Sequence, residues 1–207
     1  MLLSIHPINP QERLIKLVVE CLRNDGVIIY PTDTVYAVGC DIKSKKAMER
    51  VFRIKGVAPE KANFACIAES LKIISEYAVQ VSTPIYKVMK KVLPGPYTFI
   101  LNASKNIPKH FQSKRKTIGI RVVDHPIPTE IVRMLGNPIM TTSLKSDNTY
   151  LEYMNDAEEI YAKFGKLVDI VIDGGPCGLT PSTLVDCSTD EIIVLREGLG
   201  DVNALFT

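Results

Sequence analysis

The apolar segments of this sequence are short, and that limits the folds open to it. Runs such as VIIY (27–30) and DIVID (169–173) have the length of buried strands and fall far below the roughly 20 residues of a membrane-spanning helix. Segments with apolar residues at helical spacing lie between them. One is expected to open with Asn9 as N-cap, Pro10 as first helical residue and Glu12 as capping-box acid. Leu14, Leu17, Val18, Cys21 and Leu22 then follow on one side, and the helix stops near Gly26. Ser44 opens a second helix that carries Ala47, Met48, Val51, Phe52 and Ile54. Further helices are expected at 70–78, 83–93, 127–135 and 157–164, and strands at 27–31, 35–40, 62–68, 97–102, 117–123, 138–143, 169–173, 182–187 and 191–196. Because several strands adjoin without an intervening helix, the expected fold is α/β with a mixed rather than wholly parallel sheet.

With 207 residues and no Pro/Gly/Ser-rich tract, low-complexity run or internal repeat, the chain reads as a single domain over 1–207. The N-terminal MLLSIHPINP has neither a basic start nor an apolar stretch of signal-peptide length, so a soluble cytoplasmic protein with no membrane partner is expected. Cys21, Cys40, Cys66, Cys177 and Cys187 are scattered and lack a CxxC spacing, which fits reduced thiols and predicts no metal site. A net charge of +2 does not by itself imply a nucleic-acid partner. There is no GxxxxGK[ST] loop, no GxGxxG and no GxSxG, and the histidines stand isolated at 6, 110 and 125. A P-loop, a Rossmann nucleotide site and a Ser-His or Cys-His nucleophile are therefore unsupported.

Chemistry-bearing residues gather where strands end. Thr32, Asp33 and Thr34 follow the first long strand, Thr141, Thr142 and Ser143 end another, and Thr180, Ser182 and Thr183 begin a third. Ligands of α/β proteins commonly bind at strand ends, but hydroxyls there also serve turns. Lys55 ends a helix beside Gly56, and Arg196 ends the run EIIVL. Arg121 lies in the strand TIGIRVV on the face of Gly119. A guanidinium in an apolar strand is costly unless an anion meets it. That anion is either a small substrate, gripped through the arginine fork, or a carboxylate of the chain, for which Asp33, Asp173 and Asp186 are available. Lys105, Lys109, His110, Lys114, Arg115 and Lys116 lead into this strand and read as a basic patch beside Arg121.

In order, GVIIYPTDTVYAVGCD, RIKGVAPEKANFACIAES, LPGPYTFIL, TIGIRVVDHP, PIMTTSLKSD, TPSTLVDCS and IIVLREG resemble the YrdC family, which includes the threonylcarbamoyl-AMP synthases, over about residues 14–202. The resemblance implies a twisted mixed β-sheet with flanking helices around a basic cleft. It also implies a reaction in which L-threonine, bicarbonate and ATP give threonylcarbamoyl-AMP and pyrophosphate, with Mg²⁺ accompanying the ATP, for the modification of transfer RNA. On it, Thr34, Arg121, Thr141 and Ser182 match positions that hold the threonine, and Lys55, Lys61, Thr117, Ser143 and Arg196 match positions at the nucleotide phosphates. Adenylation needs no protein nucleophile, because the carbamate oxygen attacks phosphorus, so no catalytic residue is named. The sequence departs from the synthases where their KxR and SxN become Lys55-Gly56-Val57 and Ser143-Leu144-Lys145, and Cys66 stands where many carry a histidine near the threonine. With these departures it is most similar to the YciO branch. An alternative from another class is a non-catalytic module that binds double-stranded RNA or transfer RNA through the same cleft, with Lys105, Lys109, Lys114, Arg115 and Lys116 as contacts.

Overall fold

Successive side chains of a strand turn to opposite faces of a sheet, and the strand residues 27–30 and 37–41 are buried on both faces. The computed structural model describes residues 1–57, 64–111, 116–144 and 153–207. Its strands are β1 (Leu2–Ser4), β2 (Val27–Tyr30), β3 (Ala37–Asp41), β4 (Ala65–Ile67), β5 (Ala78–Val79), β6 (Tyr97–Ala103), β7 (Thr117–Arg121), β8 (Ile139–Ser143), β9 (Ile170–Asp173), β10 (Thr183–Asp186) and β11 (Ile193–Arg196). They join in the order β1-β9-β2-β3-β8-β4-β7-β6-β10-β11, with β5 paired to β6. The pairs β1/β9, β2/β9, β4/β7 and β6/β10 are parallel and the others antiparallel, so the sheet is mixed, as the adjoining strands imply.

On one face, Val27, Ile29, Val38, Cys40, Met140 and Val171 pack against α2 (Lys45–Lys55) and α6 (Ala157–Phe164). The same face continues through Cys66, Phe99, Ile118, Ile120 and Val185 against α3 (Ile74–Tyr77) and α4 (Thr83–Val92). On the other face, Ile28, Tyr30, Ile139, Ile170 and Ile172 meet α1 (Glu12–Arg23) and α5 (Pro126–Leu135). That second cover reaches only part of the way across. Ala65, Ile100, Asn102, Thr117, Gly119, Leu184 and Asp186 continue the face over β4, β7, β6 and β10, are only half-buried, and do not belong to the cluster under α1 and α5. This uncovered half of the sheet is the floor of a cleft.

The helix ends follow local chemistry. Ser44 caps α2 by accepting from the Ala47 N–H, and Gly56 closes it at φ 60°, a left-handed conformation suited to glycine. The first helix begins later than expected. His6 Nδ1 accepts from the Asn9 N–H at 3.0 Å and the His6 N–H meets Gln11 Oε1 at 3.0 Å, so residues 6–11 form a closed turn and Gln11, not Asn9, flanks the helix. The helix expected over 70–78 reduces to a 3-10 turn at Leu71–Ile73 and the single turn of α3, because Ala78 and Val79 are drawn into strand pairing with β6.

Candidate functional site

Arg121 is the last residue of β7, and its backbone partner Ile67 puts it on the partly uncovered face. Its anion is Asp33, from the loop between β2 and β3: Arg121 Nη2 lies 2.6 Å from Asp33 Oδ1, and both side chains are about 8% exposed. Of the three carboxylates compatible with the sequence, the fold selects the one whose loop crosses the end of β7. Asp33 Oδ2 also accepts from the Asp124 N–H at 3.2 Å, which holds the carboxylate from both oxygens. Burial lowers the Arg121 pKa and Asp33 opposes that shift. The guanidinium is not fully satisfied. Arg121 Nε is buried and, among the described residues, has no hydrogen-bond partner.

The hydroxyls around this arginine have assignable protons. Thr32 Oγ1 donates to the Val35 carbonyl at 2.7 Å and accepts from the Thr34 N–H at 3.1 Å. Thr32 has one hydroxyl proton, so in the 3.1 Å contact between the two hydroxyls Thr34 donates. Thr34 Oγ1 in turn accepts from Arg121 Nη2 at 3.1 Å. Thr34 therefore braces Arg121, at a position that the resemblance assigns to the hold on threonine. On β8, Tyr30 donates its phenol proton to Thr141 Oγ1 at 2.7 Å. The Tyr30 ring can reach there because it lies over Gly39, where a Cβ would stand 3.0 Å from the ring.

The other arm of the site comes from β10 and β11. Ser182 Oγ and Thr98 Oγ1 lie 2.7 Å apart, and the Ser182 carbonyl accepts from Arg196 Nε at 3.2 Å and Nη2 at 2.8 Å. Arg196 faces Leu184, which pairs with Thr98, and Arg196 is close enough to Arg121 to lower its pKa further. Arg196 thus stands at the Arg121 end of the cleft. Lys55 stands at the other end: its ammonium donates to the Ser143 carbonyl at 2.9 Å. Ser143 is one pleat beyond Thr141 on β8, as Thr117 is beyond Gly119 on β7, and Ala65 lies opposite both Thr141 and Gly119. Thr117 and Arg121 share a face of β7 and are separated by roughly 13 Å at about 3.3 Å per residue. Between them Gly119 offers no side chain, and a Cβ there would stand 3.1 Å from that of Ala65. The cleft is thus elongated, with a bare floor and cations at both ends. By this register Arg196 stands toward Arg121, and Lys55, Thr117 and Ser143 stand toward the other end. Lys61 lies outside the described residues.

Two further expectations are corrected. Cys66 is fully buried and faces Ile120 in the opposite core, while Ile67 is the residue of β4 alongside Arg121. A strand turns successive side chains to opposite faces, so a displacement of one residue exchanges core for cleft. Burial pushes the Cys66 thiol up to about 12, so it stays protonated. The basic loop is not beside Arg121. Exposed Lys105, Lys109 and Lys116 precede Thr117, at the far end of β7, and His110 Nε2 ties the loop to the Ile42 carbonyl at 3.0 Å. Lys114, Arg115 and Lys145 lie outside the described residues. Tyr30, Gly39, Thr98 and the choice of Asp33 were missed by motif reading, although the dipeptide Tyr30-Pro31 before Thr32 placed the tyrosine at a strand end.

This fold and site define a mixed α/β protein with a partly uncovered sheet face lined by cationic and hydroxyl side chains. Residues 20–198 match the Sua5/YciO/YrdC family, described as telomere recombination, and the chain belongs to that family. It is 44% identical over 199 residues to the uncharacterized protein YciO of Escherichia coli strain K12, covering 96% of this chain and 95% of YciO. The crystal structure of E. coli YciO superposes with a TM-score of 0.93 at 42% identity, over 99% of this chain and 98% of that one. A putative threonylcarbamoyl-AMP synthase of Methanocaldococcus jannaschii is 33% identical over 209 residues, 99% of this chain and 96% of its own length. Sua5 of Pyrococcus abyssi, in a crystal structure with L-threonine, shares the fold with a TM-score of 0.86 at 22% identity, over 96% of this chain and 57% of that one. The resemblance to the YrdC family and its YciO branch is borne out. No described helix is long and apolar enough to cross a membrane.

Proposed function

We propose that this chain binds a nucleotide and a small carboxylate of the L-threonine class in the one cleft, and that it carries out threonylcarbamoyl-AMP synthesis slowly. The observation that carries this reading is Arg121 Nε, a buried cationic donor with no partner among the described residues. Native structures seldom leave such a donor unmet, and a ligand carboxylate is the group a guanidinium edge fits best. The L-threonine complex of the P. abyssi relative and the synthase name of the M. jannaschii relative support the same substrate class.

In this reading the carboxylate lies at Arg121 and the phosphates toward Lys55, Ser143 and Thr117, with the bare strip at Gly119 between them. The carbamate formed from L-threonine and bicarbonate attacks the α-phosphorus of ATP, pyrophosphate leaves, and the product serves transfer-RNA modification in the cytoplasm. The protein's share is positioning and charge, which suffices for phosphoryl chemistry without a protein nucleophile. The buried thiols fit that picture, since Cys177 is also pushed up, to about 11, by burial. The donors of the cleft are cations and hydroxyls, which suit phosphate better than a bare cation, so Mg²⁺ would enter with the nucleotide and neutralise phosphate charge. Val57 supplies no donor where the synthases have an arginine, which accounts for a slow reaction. The test is pyrophosphate release from ATP, L-threonine and bicarbonate with Mg²⁺. Release that depends on all three substrates is expected, and none above a heat-killed control removes the enzymatic reading.

A further inference from the structure

Tyr30 is fully buried, and neither the ion pair nor the phosphate end of the cleft uses it. We propose that Tyr30 is a positioning residue: by donating to Thr141 Oγ1 it turns the Thr141 proton away from itself and toward the cleft, where it can meet an acceptor group of the ligand. This rests on the carboxylate-and-nucleotide reading of the cleft and adds the polarity of its middle section. The hydrogen-bond inventory gives that polarity. A hydroxyl has one proton and two lone pairs. Thr34 has its proton committed to Thr32 and one lone pair to Arg121. Thr141 differs, because one of its lone pairs receives the Tyr30 proton at 2.7 Å and, among the described residues, its own proton has no acceptor.

Tyr30 has no other role open to its phenol. Complete burial raises its pKa, so it remains a donor across the physiological range. Gly39 leaves the ring its path, since a Cβ at that position would stand 3.2 Å from the phenol oxygen. Without the phenol, the Thr141 hydroxyl could also turn its proton inward, away from the ligand. The cleft would then lose its preference for an acceptor at that point. With it, the ligand meets donors at Arg121 Nε and at Thr141, an arrangement suited to carboxylate or carbamate oxygens.

The experiment titrates L-threonine into the protein by calorimetry for the unmodified chain, for Tyr30→Phe, Thr141→Val and Thr141→Ser, and for the double variants Tyr30→Phe/Thr141→Val and Tyr30→Phe/Thr141→Ser. Tyr30→Phe is expected to weaken binding about fivefold to tenfold, the worth of one oriented hydrogen bond. Because Tyr30 acts through Thr141, adding Tyr30→Phe to Thr141→Val should weaken binding no further, while adding it to Thr141→Ser, which keeps the hydroxyl, should restore the full loss. An equal loss in the valine background means that Tyr30 acts by general packing and overturns the proposal. So does unchanged affinity in Tyr30→Phe. An unmodified protein that binds no L-threonine fails the reading of the cleft itself, and the role of Tyr30 falls with it. If Thr141→Val does not fold, the Thr141→Ser pair decides the matter, since a Tyr30→Phe loss absent there equally overturns the proposal.

Discussion

Replacing Arg121 by alanine tests whether the ion pair with Asp33 is part of the folded core or behaves as a solvated surface pair. The sequence alone allowed a wet cleft in which such a variant would stay folded at little cost. The structure changes that expectation. Both partners are about 8% exposed at the side chain and lie 2.6 Å apart, so the variant leaves the Asp33 carboxylate desolvated, with only the Asp124 and neighbouring dipoles to stabilise it. Removing one member of a buried pair typically costs about 3–5 kcal/mol. For a domain whose whole stability is on the order of 5–15 kcal/mol that is a large fraction, and for a chain of this size it corresponds to a fall in Tm of roughly 6–20 °C. The assay is urea unfolding followed by circular dichroism, with Arg121→Ala, Asp33→Ala and the double variant measured together. The double variant should be less destabilised than the sum of the singles by at least about 2 kcal/mol, because neither charge is then stranded. A loss below about 1 kcal/mol for Arg121→Ala, or strict additivity in the cycle, would refute the reasoning, since the pair would then behave as an exposed one.

Three other predictions concern the cleft and its edge. Lys55→Ala should weaken ATP binding about ten- to hundredfold with little effect on L-threonine, whereas Arg196→Ala, at the Arg121 end, should weaken both; isothermal titration with each ligand separates the cases. Val57→Arg with Lys145→Asn should raise pyrophosphate release about tenfold, the effect of roughly 1.4 kcal/mol off the barrier, and a folded double variant that binds ATP without gaining rate would remove these positions as the cause of slow turnover. His125 caps α5 through Nδ1, which accepts from the Ile127 N–H at 3.2 Å, and burial lowers its pKa although Asp33 and Asp124 oppose this. As pH falls below about 6.5, the unfolded chain takes up a proton that the folded chain resists, so stability should decline by up to about 1.4 kcal/mol per pH unit until the folded histidine titrates. Urea midpoints between pH 7.5 and 5.5 measure this, and His125→Asn, which keeps an acceptor without a titrating proton, should flatten the slope.

Local pattern was enough to place most elements. Period-2 burial in 117–121 and helical spacing in 45–55 appear where the sequence puts them, because a strand or helix needs only its own residues to choose which side is apolar. The adjoining strands likewise implied a mixed sheet, and the ordered motifs implied the family. What the sequence left open were relations between residues distant along the chain. Arg121 could meet Asp33, Asp173 or Asp186, and only the crossing of the β2–β3 loop over the end of β7 chose Asp33. Arg196 could join Lys55 until strand pairing set it beside Leu184 and Thr98, at the opposite end of the cleft. Cys66 could face the ligand until register turned it into the core and brought Ile67 alongside Arg121. Thr34 and Thr141 are both threonines at strand ends, yet one hydroxyl proton is committed to Thr32 and the other has no acceptor among the described residues. Sequence spacing fixes how a side chain alternates within its own strand, whereas hydrogen-bond partners and charge pairs depend on the order and register in which strands meet, and these are set by the packing of the whole sheet.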